Sequence, residues 1–273
     1  MNLTDRAILI TGASRGIGAA TARAFAQYPV RLGLLARSIE PLTALAEELN
    51  QRPGVEAMPL KADVADREAV AKAVAEMESR FGRVDILVNN AGVGMRSPIG
   101  AIDLEKAHLL FEINFWGPIY AIEAVLPGME ARRDGLIINI SSIIGRRAMP
   151  RASIYCASKF ALNALSESMR LELRPKNIRV VSFYPGVTAT DMGKHELSGD
   201  PGQIGRGRMR RTPVEVTAKA IVAAAQREPR DAYATLFDRV FVFAATTFPS
   251  LMDRMLARYY GHPAGEPHPG ERG

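Results

Sequence analysis

The chain has 273 residues, 47% of them hydrophobic and 23% charged. That composition supports one large core and is too short for two ordinary ones. A single cysteine excludes an internal disulfide, and the opening MNLTDRAILITG has neither the charged nor the apolar region of a secretory leader, so a cytoplasmic location is expected. The net charge of +6 favours anionic ligands or surfaces, but heptads, fixed repeats and aromatic-interleaved basic stripes are missing, which argues against nucleic acid.

The first predicted strand, AILIT (7–11), runs into TGASRGIG (11–18) and then a helix over 17–28. Glycines at this junction allow a tight turn and close backbone approach to a pyrophosphate, and the helix N-terminus offers unpaired N–H donors. Gly12, Ser14, Arg15, Gly16, Ile17 and Gly18 are the candidate contacts. A turn that merely links strand to helix is the plainer alternative. The second strand, RLGLLA (31–36), ends in Ala36, Arg37 and Ser38 where an acid would bind the 2′-hydroxyl of NAD. Arg15 and Arg37 with no carboxylate instead suit a 2′-phosphate, which a guanidinium can grip in a fork, so NADP(H) is the expected cofactor.

Helices over 38–50 and 66–81 precede the strand DILVNN (85–90). A helix over 103–131, the strand LIINIS (136–141), a helix over 153–174, the strand IRVVSFY (178–184) and a helix over 213–227 follow. Strands alternating with helices imply right-handed crossovers and a parallel sheet covered on both faces. The expected fold is a doubly wound, mostly parallel α/β sheet of Rossmann type over residues 1–260, with chemistry just after each strand. Residues 188–212, rich in Gly and Arg, read as a substrate lid, and the Pro/Gly-rich residues 261–273 as a disordered tail.

AYATLF (232–237) reads as the last strand and 238–260 as a helical extension, with an apolar stripe at Phe237, Val240, Phe241, Ala244, Phe248, Leu251, Met252, Met255 and Tyr259. Its uncharged run is too short to span a bilayer. Three readings stay open: a core or dimer helix, a lid over the substrate, or an interfacial segment giving peripheral membrane contact.

YCASK (155–159) places Tyr155 and Lys159 four residues apart, on one face of a helix. The plain reading is a buried aromatic with a snorkelling lysine. The chemical reading is proton transfer. An ammonium about 4 Å from the phenol contributes roughly 4 kcal/mol at an effective dielectric near 20, lowering a pKa of about 10 by some three units before desolvation takes part of this back. Cys156 turns elsewhere, and His108, His195, His262 and His268 form no metal-ligand pattern, so no metal is expected.

Taken in order, TGASRGIG (11–18), ADV (62–64), NNAG (89–92), IN (113–114), ISS (140–142), YCASK (155–159) and PG (185–186) resemble the short-chain dehydrogenase/reductase family. The resemblance implies a catalytic tetrad of Asn114, Ser142, Tyr155 and Lys159, with Asn114 placed by a break in its helix. It implies adenine contacts at Asp63 and Val64, and a ribose-lining segment at Asn90, Ala91 and Gly92. Pro185, Gly186, Thr188 and Thr190 would form the turn that fixes the nicotinamide. It further implies a homodimer or homotetramer paired through helices 103–131 and 153–174. The C-terminal tail resembles the hydroxysteroid-dehydrogenase-like branch, which suggests a bulky apolar carbonyl or alcohol substrate in a cleft bounded by Met95, Ile143, Met149, Tyr184 and residues 192–211. The rival readings are a 3-oxoacyl-[acyl-carrier-protein] reductase and a non-catalytic NADP-binding sensor.

Overall fold

In the computed structural model, residues 1–190, 196–197 and 211–260 are described, the last two of these by backbone alone. The expected tail at 261–273, most of the expected lid, His195, and Arg206, Arg208 and Arg210 lie outside the described residues.

The first half alternates β1 (Ala7–Thr11), α1 (Gly16–Phe25), β2 (Arg31–Ala36), α2 (Ile39–Asn50), β3 (Glu56–Lys61), α3 (Arg67–Phe81) and β4 (Ile86–Asn89). The second half runs α4 (Leu104–Phe111), α5 (Gly117–Arg132), β5 (Gly135–Ile140), α6 (Ser153–Leu173), β6 (Ile178–Tyr184), α7 (Val214–Arg227), β7 (Asp231–Tyr233), α8 (Leu236–Thr247) and α9 (Pro249–Tyr260). The strands form one seven-stranded sheet in the order β3-β2-β1-β4-β5-β6-β7, and every pairing is parallel. Strand order reverses between β1 and β4, which opens the crevice at their carboxyl ends.

Strand side chains alternate between two cores. Ile8, Ile10, Leu32 and Leu34 face α1, α2 and α7, whereas Ala7, Leu9, Leu87 and Ile137 face α3, α5 and α6. The run 104–132 is long and apolar enough to cross a bilayer, but Ile113, Ala121, Ile122, Val125 and Met129 within it are core residues of the second layer.

Two expectations are corrected here. Strand β3 was not anticipated, because EAMPLK buries only Leu60 and carries Pro59; it survives as an edge strand, where a missing N–H costs no ladder bond on the open side. The strand expected over 232–237 stops at Tyr233. Thr235 and Asp238 form a capping box, with the Thr235 hydroxyl accepting from Asp238 N at 3.2 Å and the Asp238 carboxylate accepting from Thr235 N at 3.0 Å, so the chain turns helical at Leu236.

That cap also rotates α8 away from the expected stripe. The Asp238 carboxylate is buried against Gly186, where an added Cβ would lie 2.0 Å from Oδ1. The buried face is therefore Asp238, Val242 and Ala245, while Phe237 and Val240 are 74% and 55% exposed. Past Phe248 the axis turns by 110° into α9, which buries Met252 and exposes Leu251 and Met255.

Candidate active site

The loop after β1 is shaped by close approach. Gly12 has φ +65°, and a Cβ there would sit 2.8 Å from Ala91 Cα; one at Gly18 would sit 2.2 Å from Gly12 O. The Asn90 amide donates to the Thr11 carbonyl at 2.9 Å and the Gly12 carbonyl at 3.2 Å, tying the ends of β4 and β1 together. Thr11 Oγ1 accepts from Asn90 N and Ala91 N, each at 3.0 Å. Gly16, with φ +55°, lies across from Thr190, whose Cγ2 would be 3.5 Å from an added Cβ. The glycine turn and the Pro185–Thr190 turn thus face each other over one groove, with the N-terminus of α1 at its floor.

At one end of the groove Arg37 Nη1 lies 4.0 Å from Asp63 Oδ2, both side chains well exposed. Asp63 Oδ1 accepts from Ala65 N at 3.0 Å. Val64 is packed against Gly117 of α5, so its side chain belongs to the core beneath that end. Ile17 packs partly on the first core, and Ser14 and Arg15 stay at the turn.

At the other end stand the four expected catalytic residues. Asn114 is in a π turn, Glu112–Trp116, between α4 and α5, the kind of helix bulge that recurs at functional sites. Its Oδ1 accepts from Val93 N at 2.8 Å, while its Nδ2 donates to Val93 O at 2.9 Å and Ser158 Oγ at 3.2 Å. Lys159 is 4% exposed and donates from Nζ to Ile140 O at 3.0 Å. Gly92 leaves the gap between them: a Cβ there would meet Asn114 Oδ1 at 3.2 Å and Lys159 Nζ at 3.6 Å. Lys159 has three donors and, among the described residues, one acceptor. The remaining donors and the bare Gly92 backbone suit ribose hydroxyls, so the residues present fit a dinucleotide.

Ser142 Oγ accepts from Ile144 N at 3.3 Å and donates to Pro185 O at 3.5 Å, and Ser142 is close enough to the Tyr155 phenol to lower its pKa. Ile143 N donates to Pro185 O at 3.1 Å, joining the Ser142 loop to the opposite turn. Thr188 is held through Gly186 O and Thr217 Oγ1, each at 3.3 Å. The bridge between Thr188 and Thr212 brings the segment at 188–212 back to where it leaves.

The expected acidification of Tyr155 is not found in the chain alone. Lys159 Nζ lies 5.9 Å from the centre of the phenol ring. Burial pushes the phenol up to about 12, aided by Cys156 and Glu196, and Ser142 and Arg96 offset only part of this. Burial also lowers the Lys159 ammonium to about 8. Desolvation, expected to take back only part of the cation's effect, is instead the largest influence on the phenol.

Sequence reasoning missed the supports behind these groups. Asn89 Nδ2 donates to Asn139 Oδ1 at 2.9 Å, Asn139 Nδ2 to Ser166 Oγ at 2.8 Å, and Asn163 Nδ2 to Gly145 O at 2.7 Å. The available signal was amides set inside apolar runs such as IINI. Tyr184, expected to bound the cleft, is instead fully buried behind the Ser142 loop, where Arg146 donates to its hydroxyl at 2.6 Å and the hydroxyl donates to Asp231 at 3.2 Å. Cys156 is buried and accepts from Met149 N at 3.4 Å, as a structural residue would. Among the described residues no group of His, Cys, Asp and Glu is placed to hold a metal.

Residues 6–200 match the family model of the short chain dehydrogenases. The chain is 35% identical to the uncharacterized oxidoreductase YxnA of Bacillus subtilis (strain 168), covering 95% of this chain and 74% of that one. It is 32% identical to dehydrogenase/reductase SDR family member 7B of Bos taurus, over 92% and 80% of the two chains. A short chain dehydrogenase from Burkholderia cenocepacia J2315, solved in complex with NADP, superposes with a TM-score of 0.79 at 26% identity, over 94% of this chain and 99% of that one. These likenesses show that the chain belongs to the short-chain dehydrogenase/reductase family, as an oxidoreductase built around a nicotinamide cofactor.

Proposed function

We propose that the protein is an NADP(H)-dependent oxidoreductase that interconverts a carbonyl and a secondary alcohol on a bulky apolar substrate. The observation that carries this reading is the buried Lys159, with its Nζ 5.9 Å from the centre of the Tyr155 ring, together with Ser142 close enough to act on the same phenol, at the carboxyl edge of the sheet. The bound nicotinamide supplies or accepts the hydride. Tyr155, protonated at neutral pH, gives its proton to the carbonyl oxygen as negative charge develops there. Ser142 donates a hydrogen bond to the same oxygen. Lys159 holds the ribose hydroxyls, and Asn114 orders the polar chain behind it through Val93 and Ser158.

The apolar wall fits such a substrate: Met95, Ile102, Ile154 and Leu197 pack around Tyr155. Steady-state oxidation of NADPH against a panel of apolar ketones and aldehydes tests the reading. Turnover with at least one of them is expected, and none with any member while NADPH is bound would overturn it in favour of a cofactor sensor.

Arg37 and the absence of an acid at the end of β2 favour NADP(H) over NAD. Arg37→Ala combined with Ala36→Asp is expected to move the preference toward NAD by about ten- to hundred-fold, the equivalent of one lost charge-assisted contact. Unchanged Kd values for the two cofactors would refute the assignment. A homodimer through α4, α5 and α6 accords with the exposed Leu109, Trp116, Phe160 and Leu171 on those elements and the π turn between them.

A further inference from the structure

In front of Tyr155 the chain builds a charged mouth that hydride transfer to a plain ketone does not require. Met95 is buried in the apolar wall, and the next residue, Arg96, points its guanidinium toward Glu196, with Nε 3.4 Å from Oε1. Glu196 is mostly buried, at 17% side-chain exposure, against 44% for Arg96. Leu197 fixes this arrangement from below: its N–H donates to Gly94 O at 2.9 Å, and its side chain packs with Met95, Ile154 and Tyr155. Both charges act on the catalytic phenol, Glu196 raising its pKa and Arg96 lowering it, so both stand within electrostatic reach of the reacting atoms.

A second cation is attached to the same rim. Ser97 N donates to Arg151 O at 2.8 Å, and Arg151 lines a shallow pocket with Met95, Ser97, Ile102, Ser153 and Ile154. Arg151 holds φ +63°, a left-handed conformation that a non-glycine residue seldom adopts.

The pairing of Arg96 with Glu196 is poor for a guanidinium. Its closest approach is 3.4 Å, whereas a carboxylate or phosphate free to choose its pose takes the two-pronged fork at about 2.7–2.9 Å. Among the described residues no other acid is paired with Arg96. A ligand with an apolar body along Met95, Ile154 and Leu197 and an anionic group at Arg96 would give that guanidinium a closer partner.

We infer that Arg96, with Arg151 beside it, is the specificity-determining site for an anionic group, carboxylate or phosphate monoester, on the substrate's apolar chain, and that Glu196 occupies that site in the free protein. The inference names the substrate class of the reaction proposed above and rests on that reading for its physiological meaning, but it is tested by binding alone.

The test is isothermal titration of the NADP⁺-loaded full-length protein with decanoate, decyl phosphate and decanol, in wild type, Arg96→Ala and Glu196→Gln. Arg96 is 44% exposed and Glu196→Gln keeps the size and shape of the side chain, and urea melts of both variants check that the fold is kept. Arg96→Ala is expected to weaken at least one of the two anions by about ten- to hundred-fold, leaving decanol within about twofold, and Glu196→Gln to tighten the same anion. The anion that responds identifies the headgroup. Equal effects on anions and decanol, or weaker anion binding in Glu196→Gln, would overturn the inference and leave Arg96 and Glu196 as a structural tether. Ketone turnover in wild type is measured separately, so a failed reduction with intact anion selectivity would count against the proposed reaction and not against the site.

Discussion

Tyr155→Phe is expected to lower kcat for carbonyl reduction by about 10²- to 10⁴-fold, the range for losing a positioned general acid, while the Kd for NADPH stays within about twofold. The phenol contributes its proton, and the ring remains to pack against Leu197 and Ile154. Stopped-flow loss of NADPH absorbance, read beside cofactor binding by fluorescence, separates the two effects. The wild-type pH profile is part of the same prediction. Because burial holds the phenol near 12, it stays protonated through neutral pH and the reduction does not lose its acid there. The fall expected on the alkaline side comes earlier, as pH rises through about 8, when the Lys159 ammonium loses its proton and its charge. An activity that instead rises steadily from pH 7 to pH 10 would show that neither group titrates as described.

Lys159→Met is expected to do two opposed things: abolish measurable turnover and stabilise the fold. Its ammonium is lowered from 10.5 to about 8 by burial, a gap worth about 3 kcal/mol at about 1.4 kcal/mol per pH unit. The lost bond to Ile140 O returns about 1 kcal/mol of that, so the variant is expected to gain about 2 kcal/mol at pH 7. The sign follows from proton binding. Between about 8 and 10.5 the unfolded chain binds the proton that the folded chain has released, so wild-type stability rises with pH across that window and the variant's advantage shrinks. Urea melts at pH 7 and pH 10 measure it. A variant less stable than wild type at pH 7, with an unchanged difference at pH 10, would mean that the lysine is a structural donor with an ordinary pKa. A gain in stability on removing Lys159 is what its proposed role in the chemistry would entail.

Most of the architecture could be read from periodicity, since the five strands AILIT, RLGLLA, DILVNN, LIINIS and IRVVSFY fall within a residue of the observed β1, β2, β4, β5 and β6. Strand β3 escaped because an edge strand with one buried side chain and a proline carries no apolar signal. The inward face of the C-terminal helix could not be read for a different reason. Apolar spacing fixes which residues share a helix face, but the face that turns inward was chosen by Asp238, a carboxylate docked on Gly186.

The site was legible wherever a motif forces the backbone. Gly12 and Gly18 are required by close approach, and the π turn places Asn114 against Val93 and Ser158. The energetics of Tyr155 were not legible, because a one-dimensional spacing of four residues says which groups are neighbours and nothing about how much water each has lost. The same blindness hid Tyr184, whose hydroxyl is spent on Arg146 and Asp231 deep behind the loop that carries Ser142.

The most direct measurement is a crystal structure of the NADP⁺ complex with a ketone analogue. The account predicts that the Tyr155 and Ser142 hydroxyls both reach the analogue's oxygen, that Lys159 Nζ engages the nicotinamide ribose, and that Arg37 meets the 2′-phosphate. A complex in which the phenol turns from the nicotinamide, with Lys159 bound only to the Ile140 carbonyl, would contradict it.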